Sequence, residues 1–543
     1  MNNKEIAKKF QLLGKLMELH GENQFKTRSY SSAYLTLRKW PDALFEMDAE
    51  QLSQIPGVGR AIQDKIIELK SSGSMATLDK YLDMTPDGIV DMLQIKGFGP
   101  KKVLTVWKDL GVESAGELLY AVQENRLLDL KGFGKKSQES LKIQLEYHLE
   151  SAGKVQFAQA DEIGKVLKAV LEDKFTSDQI EFTGAFHRKE NIIEKIDIIT
   201  TADSIQVINV ISQLEDASGE GEDLKYSGLP IDVIVVKDEE FQREWFKSSC
   251  GNQFYDVAMQ QNDIDSLMNP ESPSFIIPEY RENDNAERIS SYPRKDQIIT
   301  VDDIKGCVHN HTTYSDGMNT LEEMVAYSES LGHEYFVLTD HSRSAFYANG
   351  LQIERLYQQL DEVRDLDQQM GEYRIFSGIE SDILANGDLD YPDDVLAELD
   401  VVIASVHSNL KMDEAKATAR LLNAIENPYT SILGHPTGRL LLSRPGYPID
   451  HKKIIDACAA NNVAIEINAS PYRLDIDWRW IDYCMEQDVL ISINPDAHST
   501  SGIDDIYYGV CSARKAALLK SFTLNAMDTE EFEEWLVEQH EKR

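Results

Sequence analysis

Nine residues of the kinds that bind metal ions follow predicted β-strands in the carboxy-terminal half of this chain. Each lies in or just after a short run of aliphatic, β-branched or aromatic residues, as in YFVLTDHS, DVVIASVHS and LISINPDAHS. Imidazole and carboxylate groups together bind Zn, Mn or Fe ions, which in proteins activate water and hold phosphate oxygens. The pattern predicts a metal centre formed by His309, His311, Asp316, His341, Glu380, His407, His435, Asp496 and His498.

The elements that carry these residues alternate between strand-like and helical patterns. Seven strand-like segments are separated by helical stretches such as 320–332 and 450–462. This βα alternation predicts a distorted seven-stranded parallel barrel, whose strands end on one common face. The nine side chains should therefore form one ring at that face. A polar stretch over 281–297 precedes the first strand and is typical of a linker.

The amino-terminal third contains three near-repeats, IPGVGRAIQDKI (55–66), IKGFGPKKVLTV (95–106) and LKGFGKKSQESL (130–141). In each, two glycines allow a tight turn before a helix whose first N–H groups are free to bind phosphate. This is the helix-hairpin-helix pattern of DNA backbone contact, although a single copy is more often a plain helical turn. The expected contact residues are Gly57, Gly59, Gly97, Gly99, Lys101, Lys102, Gly132, Gly134, Lys135 and Lys136.

Charge is unevenly distributed along the 543 residues, whose formal net charge is -38. Residues 1–150 contain equal numbers of Lys/Arg and Asp/Glu, so the acidic excess lies in 151–543. The amino-terminal part is therefore expected to meet DNA through a few directed contacts instead of a broad basic surface. The five cysteines lack CxxC spacing, and no long apolar run is present. We expect a cytoplasmic protein with no membrane partner.

The segment GENQFKTRSYSSA (21–33), followed by the first glycine repeat, resembles the amino-terminal domain of family X DNA polymerases. In some members of that family, a lysine in the helix after the first hairpin is the Schiff-base nucleophile that removes abasic sugar phosphates. Lys65 stands at the matching position. The resemblance implies this role for Lys65, and the alternative is an ordinary solvated lysine.

The segment FTGAFHRKENIIEKIDIIT (182–200) resembles the catalytic motif of the same family. Gly184, Arg188 and Asp197 match it, and Asp232 matches its third carboxylate. Lys195, however, stands where the family has the first metal-binding aspartate, which puts a cation where a divalent metal needs an anion. A shortened thumb follows. We expect an α/β palm remnant that has lost polymerase activity.

The segments HNHTTYSDG, TDHS, GIESDIL, SVHS, GHP and NPDAHS resemble the polymerase-and-histidinol-phosphatase (PHP) domain. The whole chain thus resembles bacterial family X polymerases that carry a carboxy-terminal PHP domain. The resemblance implies three divalent metal ions (Mn, Zn or Fe). It assigns the first to His309, His311, Glu380 and Asp496, the second to Glu380, His407 and His435, and the third to Asp316, His341 and His498.

Other interpretations remain for single residues of this region. Asp316 could cap the helix that begins near Thr320, and His435 could be a turn histidine before a proline. Asp340 is expected to orient a ligand without binding metal. Three arginines follow ligand strands and could grip a substrate phosphate or be plain surface residues: Arg343, Arg439 and Arg473.

The sequence thus predicts a multidomain protein. An all-α, lyase-like domain with the first hairpin is expected over 1–80, a fingers-like helical domain over 81–150, the degenerate palm and truncated thumb over 151–290, and the PHP barrel over 291–543. The expected function is a metal-dependent 3′→5′ exonuclease or DNA-end-processing phosphoesterase in repair, with DNA and other repair proteins as partners. The alternatives are a small-molecule phosphatase of the histidinol-phosphatase type, an active gap-filling polymerase and a non-catalytic repair scaffold.

Overall fold

A computed structural model describes residues 1–543 except 96, 129, 151–152 and 262–263; the side chains of 147, 148, 150 and 261 also lie outside the description. The chain divides into two compact units, Met1–His148 and Leu149–Arg543. In the described residues, no helix is both long and apolar enough to cross a membrane.

The first unit is helical, as predicted. Its helices are α1 (Asn3–Leu19), α2 (Gln24–Leu37), α3 (Ala49–Ser53), α4 (Arg60–Ser72), α5 (Ala76–Asp83), α6 (Asp87–Met92), α7 (Pro100–Asp109), α8 (Ala115–Gln123) and α9 (Lys135–Glu150). Helices α4, α7 and α9 each begin directly after the second glycine of a repeat. The first glycines, Gly57, Gly97 and Gly132, have φ values of 78°, 78° and 95°. Because side chains rarely tolerate this conformation, glycine is the residue that permits each hairpin.

The second unit opens with a mixed α/β region. Its elements are β1 (Val155–Gln156), α10 (Phe157–Lys174), β2 (Ile180–Thr183), α11 (Gly184–His187), β3 (Ile192–Ile193), β4 (Ile196–Thr200), α12 (Ser204–Ser212), β5 (Ala217–Ser218), β6 (Lys225–Tyr226), β7 (Leu229–Val235), α13 (Phe241–Ser248), α14 (Asn252–Gln261) and α15 (Ile264–Met268). Five of these strands form one sheet in the order β2-β4-β7-β6-β5. Strands β4 and β7 are parallel, which puts Asp197 directly beside Asp232.

The rest of the chain forms the predicted seven-stranded parallel barrel. Its elements are β8 (Gly306–Cys307), α16 (Leu321–Ser330), β9 (Tyr335–Leu338), α17 (Ile353–Asp367), β10 (Arg374–Asp382), α18 (Asp393–Leu396), β11 (Val401–Ser405), α19 (Glu414–Ile425), β12 (Ile432–Leu433), α20 (His451–Ala460), β13 (Ala464–Asn468), α21 (Ile481–Glu486), β14 (Ile491–Asn494), α22 (Ile506–Arg514) and α23 (Thr529–Glu541). The strands follow chain order from β8 to β14. A parallel bridge from Asn310 to Ala497 joins the two edges, so the ring is nearly closed.

Burial on both faces explains why these strands read as continuous apolar runs. Every residue of β9, β11 and β13 is buried, as expected for parallel strands inside a layer of helices. The short strand β12 ends one residue before Gly434, where an added Cβ would collide with the Ser405 hydroxyl. The barrel thus brings the ends of its strands close together at the face that carries the predicted ligands.

The polar stretch 281–297 is folded against both the α/β region and the barrel, although its composition is typical of a linker. Arg281 and Asn285 are buried, because backbone carbonyls accept their side-chain N–H groups. Asn285 also donates to the carbonyl of Lys515, just beyond α22. These hydrogen bonds satisfy the polar groups and allow the stretch to pack as interior.

Candidate metal centre and associated sites

The nine predicted ligands converge at the carboxyl ends of the barrel strands. Among the described residues, ligand atoms that all lie within 4.8 Å of one another form three groups composed of barrel residues alone. The groups are His311, Asp316, His341 and His498; His309, His311 and Asp496; and His341, Glu380 and His407. Eight of the nine residues belong to at least one group, and the ninth, His435, contacts Glu380.

Glu380 is the shared carboxylate of this centre. Its Oε1 lies 3.0 Å from Nε2 of His435, 3.1 Å from Nε2 of His407 and 3.3 Å from Nε2 of His309. Its Oε2 lies 2.7 Å from Nδ1 of His341. Four of the predicted histidine ligands thus surround this one carboxylate.

Two further carboxylates complete the ring. Asp496 Oδ1 lies 3.0 Å from Nε2 of His311. Asp316 Oδ1 lies 3.4 Å from Nε2 of His498 and 3.7 Å from Nε2 of His341. Asp316 does not cap the following helix, because Thr320 accepts the N-terminal hydrogen bond of α16.

Backbone strain marks three of the nine positions. His309, His435 and Asp496 have φ values of 65°, 21° and 53°, in the region that favours glycine. Such strain costs about 1–3 kcal/mol per residue and persists where the surroundings fix the residue for a function. The barrel thus holds these side chains in place against a backbone penalty.

Three acceptors behind the ligands fix the histidine rings. Nδ1 of His309 donates to Glu466 at 2.5 Å, and Nδ1 of His407 donates to Asp382 at 2.5 Å. Nδ1 of His498 donates to a backbone carbonyl at 2.9 Å. In the neutral form of each ring, this bond keeps the proton on Nδ1 and turns the Nε2 lone pair to the centre, the usual arrangement for metal-binding histidines.

Sequence reasoning missed the two carboxylates in that set. Glu466 is fully buried inside β13, and its Oε2 also accepts the backbone N–H of His435 at 2.6 Å. A charged residue inside the apolar run AIEIN was the available signal. Asp382, which ends β10 two residues after Glu380, carried no signal beyond its proximity.

Asp340 precedes His341 in the chain, but its side chain hydrogen-bonds the loop that contains Thr312 and Ser315. It is fully buried and accepts hydrogen bonds from the backbone N–H and hydroxyl of Thr312 at 2.8 and 2.6 Å. It also accepts from Ser315 and from the side chain of Gln359. These contacts hold the loop that carries Asp316, which makes Asp340 a positioning residue.

The electrostatics of the ring favour ionised carboxylates. Although burial opposes ionisation, the surrounding histidines hold the pKa of Glu380 and that of Asp496 well below their usual values. Burial lowers the pKa of His407, but Glu380 and Asp382 raise it to about 10. Burial, His498 and His341 lower the pKa of His311. The carboxylates of the centre are therefore ionised, and oxygen ligands of this kind together with imidazoles suit a divalent cation.

Unsatisfied polar atoms provide a direct test of whether metal fits. Among the described residues, Nε2 of His309, Nδ1 of His311, both ring nitrogens of His341 and Oε2 of Glu380 are buried without a hydrogen bond. The close approach of His341 to Glu380 is therefore outside hydrogen-bonding geometry. Folded proteins rarely leave such atoms unpaired, whereas metal coordination would satisfy them. The residues present fit divalent metal ions.

The three arginines near the ring have different surroundings. The Arg343 side chain is 40% exposed and lies 3.4 Å from Asp390. Arg439 donates to Asp477 at 2.6 Å and to two backbone carbonyls, which occupies all three of its nitrogens. Arg473 is buried, 3.9 Å from Asp496. Arg343 is therefore the one of these three with the most freedom to reach a phosphate.

In the first unit, the predicted DNA-contact residues lie at the hairpins. A Cβ added at Gly57, Gly59, Gly99, Gly132 or Gly134 would meet no atom within 4 Å, and that of Gly97 would approach a single glutamine oxygen. A phosphate can therefore approach the backbone there. Lys101, Lys135 and Lys136 are exposed in the first turns of α7 and α9, and the Lys102 amine lies over the Phe133 ring. Lys65 donates to the Thr77 hydroxyl at 2.7 Å.

In the α/β region, Lys195 lies between the two remaining carboxylates. Its amine is 2.8 Å from Asp197 and 2.7 Å from Asp232. Glu194 points elsewhere and pairs with Lys154. Gly184, with φ 66°, lies directly against Asp197, so that a Cβ would collide with the carboxylate.

Arg188, the basic residue that matches the family motif, already forms ion pairs within the protein. It pairs with Glu190 and, through Nε at 3.1 Å, with Glu282, and its side chain is only 11% exposed. Its neighbour Lys189 pairs with the buried Glu279 at 3.0 Å. Arg188 and its neighbour Lys189 thus both pair with carboxylates of the 279–282 segment.

Comparison with known proteins agrees with this architecture. Residues 1–75 match a helix-hairpin-helix domain, residues 89–146 a SAM-like helix-hairpin-helix tandem, and residues 308–470 the PHP domain. The fold and the metal-type centre therefore define a chain that joins helix-hairpin-helix domains to a PHP domain.

Individual relatives extend the match to the whole chain. The DNA polymerase/3′-5′ exonuclease PolX of Bacillus subtilis (strain 168) is 31% identical over 576 aligned positions, which cover 99% of each chain. A probable phosphatase of Thermoanaerobacter sp. (strain X514) is 28% identical over 39% of this chain and 93% of its own. The chain belongs to the PolX family of family X DNA polymerases with a carboxy-terminal PHP domain.

Proposed function

We propose that this protein is a DNA-binding, metal-dependent phosphoesterase that trims DNA ends in repair as a 3′→5′ exonuclease. The observation that carries the proposal is the buried ring of nine His, Asp and Glu side chains at the carboxyl face of the barrel. The full-length relative of Bacillus subtilis is named a 3′-5′ exonuclease as well as a polymerase. The three hairpins of the first unit suit the backbone of a nucleic acid.

The ring would hold three divalent ions, Mn, Zn or Fe, in the sets assigned from the family resemblance. Glu380 belongs to two of these sets and would be the shared ligand, which is supported by its contacts with His309 of the first set and with His407 and His435 of the second. Bound ions of this kind activate water for attack on phosphorus and neutralise charge on the phosphate oxygens.

The chain's own groups prepare the site for that chemistry. Glu466 and Asp382 keep the proton of His309 and of His407 on Nδ1, which directs each Nε2 lone pair to the centre. Asp340 fixes the loop of Asp316. Arg343, exposed at the rim, is the residue we assign to hold a substrate phosphate. Arg439 and Arg473 would support the loops around it.

We propose further that polymerase activity has been lost. A metal pair needs carboxylates that are free to bind it, and the Lys195 ammonium bonds both Asp197 and Asp232. Arg188 is held by Glu190 and Glu282 and is therefore not free to bind a triphosphate. In this proposal, the region over 151–290 serves as a folded support for the barrel.

The remaining features fit a protein that works on DNA inside the cell. In this proposal the lyase-like domain over 1–80 and the fingers-like domain over 81–150 bind the backbone near a gap or end. Lys65 would add abasic-site removal, which requires that its amine leave Thr77. We place the protein in the cytoplasm, in contact with other repair proteins.

The test is hydrolysis of 5′-labelled single- and double-stranded DNA by the full-length protein with Mn²⁺. We expect stepwise shortening that disappears in His311→Ala and persists in His540→Ala, which removes an exposed histidine of α23. If the wild-type protein leaves both DNAs intact, the proposal fails.

A small-molecule phosphatase is the second candidate, and the likeness of the barrel to probable phosphatases favours it. Turnover of oligonucleotides and of p-nitrophenyl phosphate, compared on the same preparation, separates the two. Hydrolysis of the small ester without DNA cleavage would support the second candidate.

A further inference from the structure

A cavity of about 460 Å³ is lined by residues of the loops that follow β12 and β13 and of the helix starts beyond them. The first loop follows His435, and its Thr437 borders the cavity. The second loop contributes Asp475, which pairs with the backbone of Asn468 at the end of β13. Asn468 in turn donates to the predicted ligand Asp496 at 2.9 Å. The cavity is therefore connected to the ring through two loops that also position ring residues.

Three aromatic rings line part of the cavity. Tyr447 and Trp480 line it, and the imidazole of His451 stacks on Trp480 with centroids 4.5 Å apart and planes within 4°. Burial lowers the pKa of His451, so this ring is uncharged at neutral pH and stacks as an aromatic group. Walls of this kind suit a flat ring.

Polar groups at the edge are balanced in charge and held in place. Arg439 is fixed by Asp477, and Thr437 donates to Asp475 while its backbone N–H also bonds that carboxylate. The buried hydroxyl of Tyr447 has no hydrogen-bond partner among the described residues. A neutral ligand with its own donors and acceptors fits such an edge better than a free anion does, because each arginine here already has a carboxylate partner.

We propose that this cavity binds a nucleobase, namely that of the nucleotide next to the phosphodiester held at the metal ring. The proposal rests on DNA as the substrate of the ring. Stacking would tolerate any base, because every base has a flat aromatic face, and the polar edge would bond its ring atoms. The cavity would thus hold the end of the strand in register while the neighbouring phosphate is hydrolysed.

Direct binding tests the cavity without any hydrolysis. Deoxyadenosine and deoxythymidine lack phosphate, so their binding to the full-length protein, measured by saturation-transfer NMR, does not depend on metal–phosphate contact. We expect both to bind, and 2-deoxyribose alone to give no signal. Trp480→Ala should weaken binding about tenfold, within the range for loss of one base–aromatic stack. Trp480→Phe should restore most of it.

A matched control is Tyr357→Ala, which removes a partly exposed aromatic ring from the outer helix α17 and should leave binding unchanged. Tyr447→Phe, which removes one hydroxyl, provides a mild second variant if Trp480→Ala fails to fold. Absence of nucleoside binding by the wild-type protein, or equal binding by wild type, Trp480→Ala and Tyr447→Phe, would overturn the proposal.

A second measurement links the cavity to DNA. The first substrate is an oligonucleotide with one abasic residue beside the 3′-terminal phosphodiester, on which wild type and Trp480→Ala should have the same KM. On the intact oligonucleotide, the KM of Trp480→Ala should be about tenfold higher than that of the wild type. If nucleosides bind but no DNA is cleaved, the proposed exonuclease fails while the base site stands. If DNA is cleaved and no nucleoside binds, the base site alone is refuted.

Discussion

Glu466→Gln offers a sharp test of how the ring is positioned, because the carboxylate is fully buried and each oxygen has a defined donor. Oε1 accepts from Nδ1 of His309 at 2.5 Å and from Asn494 at 2.9 Å, and Oε2 accepts from the backbone N–H of His435 at 2.6 Å. A glutamine of the same shape has one acceptor oxygen and one NH₂ group. The glutamine keeps more hydrogen bonds if its oxygen faces His309 and Asn494 and its NH₂ group faces the backbone N–H of His435. That buried N–H then has no acceptor.

The cost follows from that geometry. An unsatisfied buried donor costs about 1–3 kcal/mol, so unfolding by urea should show a loss of this size. Loss of a carboxylate behind a metal-binding histidine typically lowers metal affinity or activity about 10- to 100-fold. Mn²⁺ binding by equilibrium dialysis should weaken accordingly.

The control is Glu538→Gln, which makes the same chemical change on the exposed side of α23 and should alter neither quantity. If Glu466→Gln retains both the stability and the Mn²⁺ affinity of the wild type, then Glu466 does not position the ring and the reasoning is refuted.

Three further predictions address the other sites. Mn²⁺ at a hundred times its Kd should stabilise the folded protein by about 2.7 kcal/mol. The Tm should therefore rise in the wild type and in His540→Ala, and should rise less in His311→Ala. An equal rise in all three proteins would contradict the assignment of His311 as a metal ligand. Lys195→Met should lose up to about 1 kcal/mol, because Lys195 is 48% exposed. Asp197 and Asp232 raise the pKa of Lys195, so the ion pair stabilises the folded protein fully below the ordinary lysine pKa of 10.5 and less as the pH rises beyond it. At acidic pH the stabilisation is lost as Asp197, whose pKa burial raises, takes up a proton. Urea unfolding should therefore separate the two proteins at neutral pH and not at about pH 3, and a difference that persists in acid would exclude this ion pair as its source. Lys135→Ala/Lys136→Ala should weaken binding to duplexes of different sequence equally and lower the salt slope by about one per lysine; a sequence-dependent loss would contradict backbone contact.

The barrel and its ring could be predicted because their signals are local. Parallel strands buried on both faces give continuous apolar runs, as in Val401–Ser405, and a polar residue at the end of such a run must face the carboxyl end of the barrel. The hairpins were predictable for a similar reason, since Gly57, Gly97 and Gly132 adopt a conformation that other residues avoid.

Other features depend on contacts between distant parts of the chain, which composition does not reveal. The polar stretch 281–297 becomes interior because Asn285 finds a carbonyl more than two hundred residues away, at Lys515. Glu466 gains its role from partners on neighbouring strands. Arg439 donates hydrogen bonds to Asp477 and to two backbone carbonyls, and it reaches these acceptors only because of the path of the loop after β13.

The central claim is that the metal ring of the barrel is the working active site and that the Lys195 site no longer polymerises DNA. One assay tests both parts: a 5′-labelled primer paired with a gapped template, incubated with the full-length protein, Mn²⁺ and all four deoxynucleoside triphosphates. The account predicts a ladder of shortened primers that is absent in His341→Ala, with no product longer than the primer in either protein. Extension of the primer by the wild type, or shortening that persists in His341→Ala, would contradict it.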